Sequence, residues 1–311
     1  MFALGIDTSN YATSLAVFDT DAKEVVCASK RFLPVKPGEL GLRQSNAVFH
    51  HTVALPEMLN ELNRNFSLHK IDVIGVSAKP RPIEGSYMPC FLTGLCAAHS
   101  MGLAKNISVI ETTHQQGHIA AALFATGNPS LFTQKTLVFH ISGGTTELLL
   151  CENGQVLQKV GESTDLYAGQ AVDRIGVKLG FAFPAGAKLS ELASQCADII
   201  HPKISVKGTD CSFSGLENQC NRLLAQGAAS SYVAKYCLCA VGGTVLKMIE
   251  AARQTYSVPV ICAGGVMSSE IIRNMVVKQA KETYFVPAQF ASDNAIGVSI
   301  LAARESCLWE M

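Results

Sequence analysis

The chain has 311 residues, enough for about two domains of ordinary size, and its 25 basic and 25 acidic residues cancel to a formal charge of zero. Charged residues make up 16% and hydrophobic residues 48%, which excludes a disordered chain, a collagen-like repeat and a polybasic nucleic-acid binder. A nucleic-acid substrate held by a local patch or by a partner subunit stays open.

In chain order, Met1 to Asp7 has no basic lead-in and reaches an acid at once, so it does not read as a signal peptide. Phe2 to Ile6, Thr13 to Phe18 and Glu24 to Phe32 are sheet-forming runs separated by the polar turns Asp7–Asn10 and Asp19–Asp21. The pattern returns at Leu137 to Ile141, Thr146 to Cys151 and Gln155 to Gly161, with turns at Ser142–Thr145 and Glu152–Gly154. A three-strand meander repeated about 135 residues later predicts duplicated lobes rather than a solenoid, whose repeats are shorter. Between and after the meanders, helical periodicity marks Ser45 to Leu62, Met88 to Ala104, His114 to Ala125, Ala168 to Leu179, Ala187 to Ala197, Tyr232 to Thr255, Ser268 to Lys281 and Asp293 to Ala303. Short strands are expected at Ile71 to Ser77, Ile107 to Ile110 and Val258 to Cys262. Strands alternating with helices predict an α/β class.

The apolar stretch Met88 to Ala104 is interrupted by Thr93, His99 and Ser100, short of the 18 or so residues a span needs. The eleven cysteines are an odd number with no C-x-x-C pair, the usage of small buried thiols in a reducing compartment. These features together predict a soluble, cytoplasmic protein with no membrane contact.

His114-Gln115-Gln116-Gly117-His118 is the sharpest local signal. Histidines at i and i+4 of a helix share a face and can share a metal, although two hydrogen-bonded core histidines have the same spacing. A zincin protease needs Glu after the first His to take a proton from metal-bound water, and Gln115 cannot take it. Two glycine loops, Ser142-Gly143-Gly144-Thr145 and Ala263-Gly264-Gly265, each follow an apolar run. Either could be only a tight turn; together they lean toward a nucleotide, whose phosphate can approach bare backbone N–H groups. Neither matches a dinucleotide fingerprint or a G-K-[ST] phosphate loop. His50 and His51 point in different directions and read as solvated or edge residues, Asp173 as a surface or site-facing acid, and Phe213-Ser214 as a strand end with a helix cap.

Taken in order, Gly5 to Ser9, His114 to His118, Ser142 to Glu147, Gly161 to Ser163 with Ala168 to Asp173, Ser212 to Leu216, Ala263 to Val266 and Asp293-Asn294 resemble the TsaD family of tRNA threonylcarbamoyladenosine transferases, formerly called glycoproteases. The resemblance spans nearly the whole chain. It implies a two-lobed actin-like ATPase (ASKHA) fold, with residues 1–112 plus 293–311 in the first lobe and 113–292 in the second. By motif matching it implies one divalent metal ion, iron or zinc, on His114, His118 and Asp293. It places His140, Ile141, Ser142, Gly143, Gly144, Asp173, Gly186 and Ser269 at positions that hold threonylcarbamoyl-adenylate, and assigns no catalytic acid or base. The implied reaction moves the threonylcarbamoyl group to the adenine beside the anticodon of tRNA, with TsaB- and TsaE-like accessory subunits as partners. The helices at Ser45–Leu62 and Met88–Ala104 are the expected partner surface.

The chain also departs from the family pattern. Asn10-Tyr11-Ala12 replaces an acidic first turn, Gln116 a Glu, Thr145 a His, Ser269 an Asn and Glu217 a Lys, while Ala78-Lys79-Pro80-Arg81-Pro82 replaces a glycine-rich segment. A divergent member is expected, active as a transferase. The alternative is an impaired paralogue that binds metal and nucleotide to regulate or scaffold.

Overall fold

The computed structural model describes residues 1–34, 42–287, 290 and 294–306. They form two compact units, Met1–Phe132 with Ser292–Met311, and Thr133–Ala291. This division corrects the expected 112/113 boundary. The helix that begins at His114 packs on the C-terminal helix and so belongs to the first unit.

The first unit opens with the expected meander, β1 (Phe2–Ser9), β2 (Ala12–Asp19) and β3 (Glu24–Phe32). Two parallel strands complete the sheet, β4 (Ile71–Lys79) and β5 (Ser108–Thr113), in the order β3-β2-β1-β4-β5. Helices α1 (Gln44–Asn65) and α2 (Phe91–Lys105) cover it, burying Ala54, Leu55, Met58, Leu62 and Ala98 against Leu4, Ile6, Leu15, Val17, Ile74 and Val76.

His51 of α1 lies inside this packing, fully buried, which corrects its reading as a solvated or edge residue. Its Nε2–H donates to the Ser9 carbonyl at 2.9 Å, and its Nδ1 accepts from the Thr13 hydroxyl at 2.7 Å. Burial, partly offset by the Ser9 bond, lowers its pKa below the usual 6.5. The unfolded chain therefore protonates this histidine as pH falls through 6.5, and the folded chain does so only at lower pH. The stability it supports is full above pH 6.5 and declines below, by up to about 1.4 kcal/mol per pH unit. Between pH 7 and pH 5 the melting temperature of the wild type should fall more steeply than that of His51→Gln; parallel curves would contradict this account.

The second unit repeats the scheme. Strands β6 (Thr136–Ile141), β7 (Thr146–Glu152) and β8 (Gln155–Glu162) form its meander. Parallel strands β11 (Val260–Ala263) and β12 (Thr283–Phe285) extend it in the order β12-β11-β6-β7-β8, while β9 (Ser205–Lys207) and β10 (Asp210–Ser212) form a separate hairpin. At three residues each, β9, β10 and β12 are too short to show a period in the sequence. The short helix α4 (Ser130–Thr133) falls where the chain passes from the first unit to the second, whose helices are α5 (Ala168–Lys178), α6 (Gly186–Ser194), α7 (Ser214–Ala225), α8 (Ser230–Arg253) and α9 (Glu270–Gln279).

Asp165 ties this layer together. Its carboxylate accepts from the amides of Phe213 at 2.9 Å and Ser214 at 3.3 Å and from the Ser212 hydroxyl, so it fixes the start of α7. Among the described residues α8 alone is long and apolar enough to cross a membrane, and 72% of its apolar window is buried. Cys237, Leu238, Val241, Val245, Met248 and Ile249 place it in the core of the second unit. Every described cysteine is free, and all but Cys27 and Cys96 are buried.

Candidate functional site

In the first unit, the site begins with a register. β1 and β4 run parallel with Ile6 beside Val76, and β4 and β5 run parallel with Ser77 beside Thr112. Asp7, Ser77 and the residues after Thr113 therefore emerge at one edge of the sheet, the carboxyl ends of parallel strands, where α/β sheets carry their ligands. There α3 (His114–Ala125) starts. The Thr113 hydroxyl caps it by accepting from the Gln116 amide at 3.2 Å, and donates to the Gln116 side-chain oxygen at 2.8 Å. This T-x-x-Q cap gives Gln116 a structural role at the position where the family has Glu.

The C-terminal helix α10 (Ala295–Glu305) approaches this edge closely. A Cβ on Gly5 would stand 2.0 Å from the Ala295 carbonyl, one on Gly75 2.6 Å from the Val298 carbonyl, and one on Gly297 1.7 Å from the Gly117 carbonyl. That approach delivers Asn294, at the start of α10, to Asp7. Asn294 Nδ2 donates to Asp7 Oδ1 at 2.8 Å and to Ser77 Oγ at 3.2 Å. A Cβ on Gly117 would lie 2.3 Å from Asn294 Oδ1, so the glycine inside the histidine motif makes room for this amide.

His114 Nδ1 lies 3.1 Å from Asp7 Oδ1. Its Nε2 meets His118 Nε2 at 3.1 Å, with the two rings inclined at 76°. Asp7 is 1% exposed. Burial alone would push its carboxyl up, but His114, Ser77 and Asn294 together hold it well below the usual carboxylate range. Two nitrogens each about 2.0–2.1 Å from one cation, at angles of 90–110°, stand about 2.9–3.4 Å apart, so the observed separation fits a shared ion. Among the described residues no group of three or more His, Cys, Asp and Glu gathers around such an ion. Asp293, the expected third ligand, lies outside the described residues.

The second unit brings its glycine loops side by side. His140 of β6 pairs with Ala263 of β11 and, on the other side, with Glu147 of β7. The loop after Ile141 is closed by the Ser142 amide donating to the Thr145 carbonyl at 2.8 Å. Gly264 has φ of +101°, and a Cβ there would lie 2.1 Å from the Ile141 carbonyl, so only glycine allows the two loops this proximity. The start of α5 closes in as well, since a Cβ on Gly169 would lie 2.4 Å from the Ser142 carbonyl. Asp173 Oδ1 accepts from the Ala185 amide at 2.8 Å and fixes the start of α6, which opens with Gly186. Burial raises the pKa of Asp173, and the Ala185 and Gly186 amides partly oppose it. The Ser269 hydroxyl is buried and has no hydrogen-bond partner among the described residues.

A family model described as tRNA N6-adenosine threonylcarbamoyltransferase, TsaD, matches residues 37–299. The chain belongs to this family. Relatives of that name include one from Methanopyrus kandleri, 27% identical over 94% of this chain and 84% of its own length. Another, from Legionella pneumophila strain Paris, is 27% identical over 96% of this chain and 92% of its own. Solved structures give the fold. Component A of Acidaminococcus fermentans (R)-2-hydroxyglutaryl-CoA dehydratase superposes with a TM-score of 0.60 at 16% identity, covering 99% of both chains. HypF in its phosphate- and nucleotide-bound form reaches 0.64 at 13% identity, covering 99% of this chain and 56% of its own. The architecture is the actin-like ATPase fold, with two similar α/β units. TsaD membership makes the chain a transferase whose family acts on tRNA, and favours that activity over the regulatory-paralogue reading.

His114 and His118 thus stand together in the first unit, and His140 to Gly144, Asp173, Gly186 and Ser269 all lie in the second. No local pattern in the sequence assigns a role to Asp7, Ser77 or Asn294. Asp7 and Asn294 were visible only as letters of motifs, and Ser77 carried no signal.

Proposed function

We propose that this TsaD-family chain transfers the threonylcarbamoyl group of threonylcarbamoyl-adenylate to N6 of the adenosine beside the anticodon of tRNA, using a divalent cation. His114 and His118 would hold that cation, with Asp293 as the carboxylate ligand, and zinc or iron suits two nitrogens and one oxygen. When bound, the cation would supply Lewis-acid polarisation of the acyl donor. The observation that carries the reading is the convergence of the two Nε2 atoms at 3.1 Å in a family whose named reaction is acyl transfer to tRNA.

The protein's own groups bind and orient. The loop at Ser142–Thr145 and the turn at Gly264 offer backbone approach to the adenylate, and the buried Ser269 hydroxyl offers it a hydrogen bond. Asp173 holds Ala185 and Gly186 where the adenylate's nucleoside is received. Because tRNA affinity is mostly electrostatic and this chain carries no net charge, TsaB- and TsaE-like accessory subunits in the cytoplasm would supply phosphate contacts. The exposed Phe49 and Val53 of α1, and Leu92 and Leu103 of α2, support these helices as the surface that receives them. The test combines metal-loaded protein with threonylcarbamoyl-adenylate, unmodified tRNA and the accessory subunits. Threonylcarbamoyladenosine in the digested tRNA is the expected product, and its absence with folded, loaded protein would refute the proposal.

A further inference from the structure

We propose that Asp7, steadied by Asn294 and Ser77, is a positioning residue that keeps the proton of His114 on Nδ1 and so turns Nε2 toward a divalent cation shared with His118. The inference rests on the metal-centre reading above.

Asp7 Oδ1 already accepts from Asn294 at 2.8 Å, so the 3.1 Å approach of His114 Nδ1 to the same oxygen is read as a second donor reaching it, with the hydrogen on Nδ1. The lone pair is then on Nε2, the atom that faces His118. Asn294 spends its two amide hydrogens on Asp7 Oδ1 and Ser77 Oγ, which anchors the carboxylate beside the ring. Asn294 Nδ2 also stands 2.8 Å from His114 Nδ1, and with both its hydrogens given to Asp7 and Ser77 it has none left for that nitrogen. Asp7 is not itself placed as a ligand, because it touches the nitrogen on the opposite side of the imidazole from His118. A carboxylate behind a ligating histidine fixes the tautomer, restrains the ring and raises ligand basicity.

Burying a charge this deeply is costly, and a side chain needed only to hold β1 against α10 could do so as an amide. Asp7→Asn tests the difference, since an amide can turn its N–H toward Nδ1 and no longer enforces one tautomer. The probe is zinc alone, titrated in competition with a chromogenic chelator, counting the tight equivalent that His118→Ala lacks. Asp7→Asn should weaken that equivalent about 10–100-fold, while the melting temperature without zinc is unchanged or raised. Zinc affinity equal to the wild type, or a lowered melting temperature with affinity unchanged, overturns the proposal. Should the variant not fold, imidazole 15N spectra of the zinc-loaded wild type decide instead. They should show His114 protonated at Nδ1 and bound through Nε2, and coordination through Nδ1 overturns the proposal. If neither His114→Ala nor His118→Ala removes a zinc equivalent, it is the underlying metal-centre reading that fails.

Discussion

Alanine at His118 should remove the bound cation and the transferase activity together while leaving the fold intact. The side chain is only half-buried, at one turn from His114 on a helix whose capping and packing come from Thr113, Gln116, Gly117 and α10. Deleting it therefore opens no core cavity, and the melting temperature of the cation-free protein should hold within a few degrees. Removing one of two nitrogen donors costs more than loss of an outer partner, so affinity should fall by more than about 100-fold. A Lewis acid contributes several kcal/mol to an acyl transfer, and about 4 kcal/mol is a factor of 10³ in rate. A kcat lowered by at least that factor, measured as modified nucleoside formed per minute, is the expected result. Substrate affinity should change little if the adenylate is bound by the second unit's loops. Activity within tenfold of the wild type would rule out an ion on these two nitrogens as part of the chemistry.

Gly297→Ala should cost as much stability as truncating a large core side chain. Its new Cβ would stand 1.7 Å from the Gly117 carbonyl and 2.8 Å from the Ala121 amide, both backbone atoms of α3 that no rotamer change can move aside. Relief requires α10 to lift from α3, and with it the contact of Asn294 with Asp7. Overpacking by a methyl group commonly costs about 1–3 kcal/mol when side chains can adjust, so about 3–5 kcal/mol is expected where only backbone can give. For a unit of this size that is a loss of about 10 °C or more in melting temperature. Gly144→Ala is the control, because its Cβ meets nothing within 4 Å, and it should melt with the wild type. A Gly297→Ala protein as stable as that control would show that α10 does not pack as described.

A pair of histidines at i and i+4 is legible because a helix always puts those positions on one face, and Thr113 with Gln116 marks where that helix starts. The glycine loops are legible because glycine punctuates the ends of apolar strands. The burial of His51 carries no local signal: one helical histidine beside another gives no hint that Thr13 and Ser9, about 40 residues away, will satisfy both of its nitrogens.

By itself, the sequence determined the repeated meander, the α/β alternation and the local geometry of the histidine pair, all consequences of backbone periodicities of 2 and 3.6 residues. Tertiary structure alone decided that Asp7, Ser77, His114 and Asn294 would meet, and that the helix bearing His114 would join the first unit rather than the second. The Asp7–Asn294 contact joins residues 287 positions apart. It exists because three parallel strands end in register and because Gly5, Gly75, Gly117 and Gly297 let α10 come within backbone contact of them. A local pattern cannot carry that information, since it depends on which small residues face one another after the chain has closed on itself.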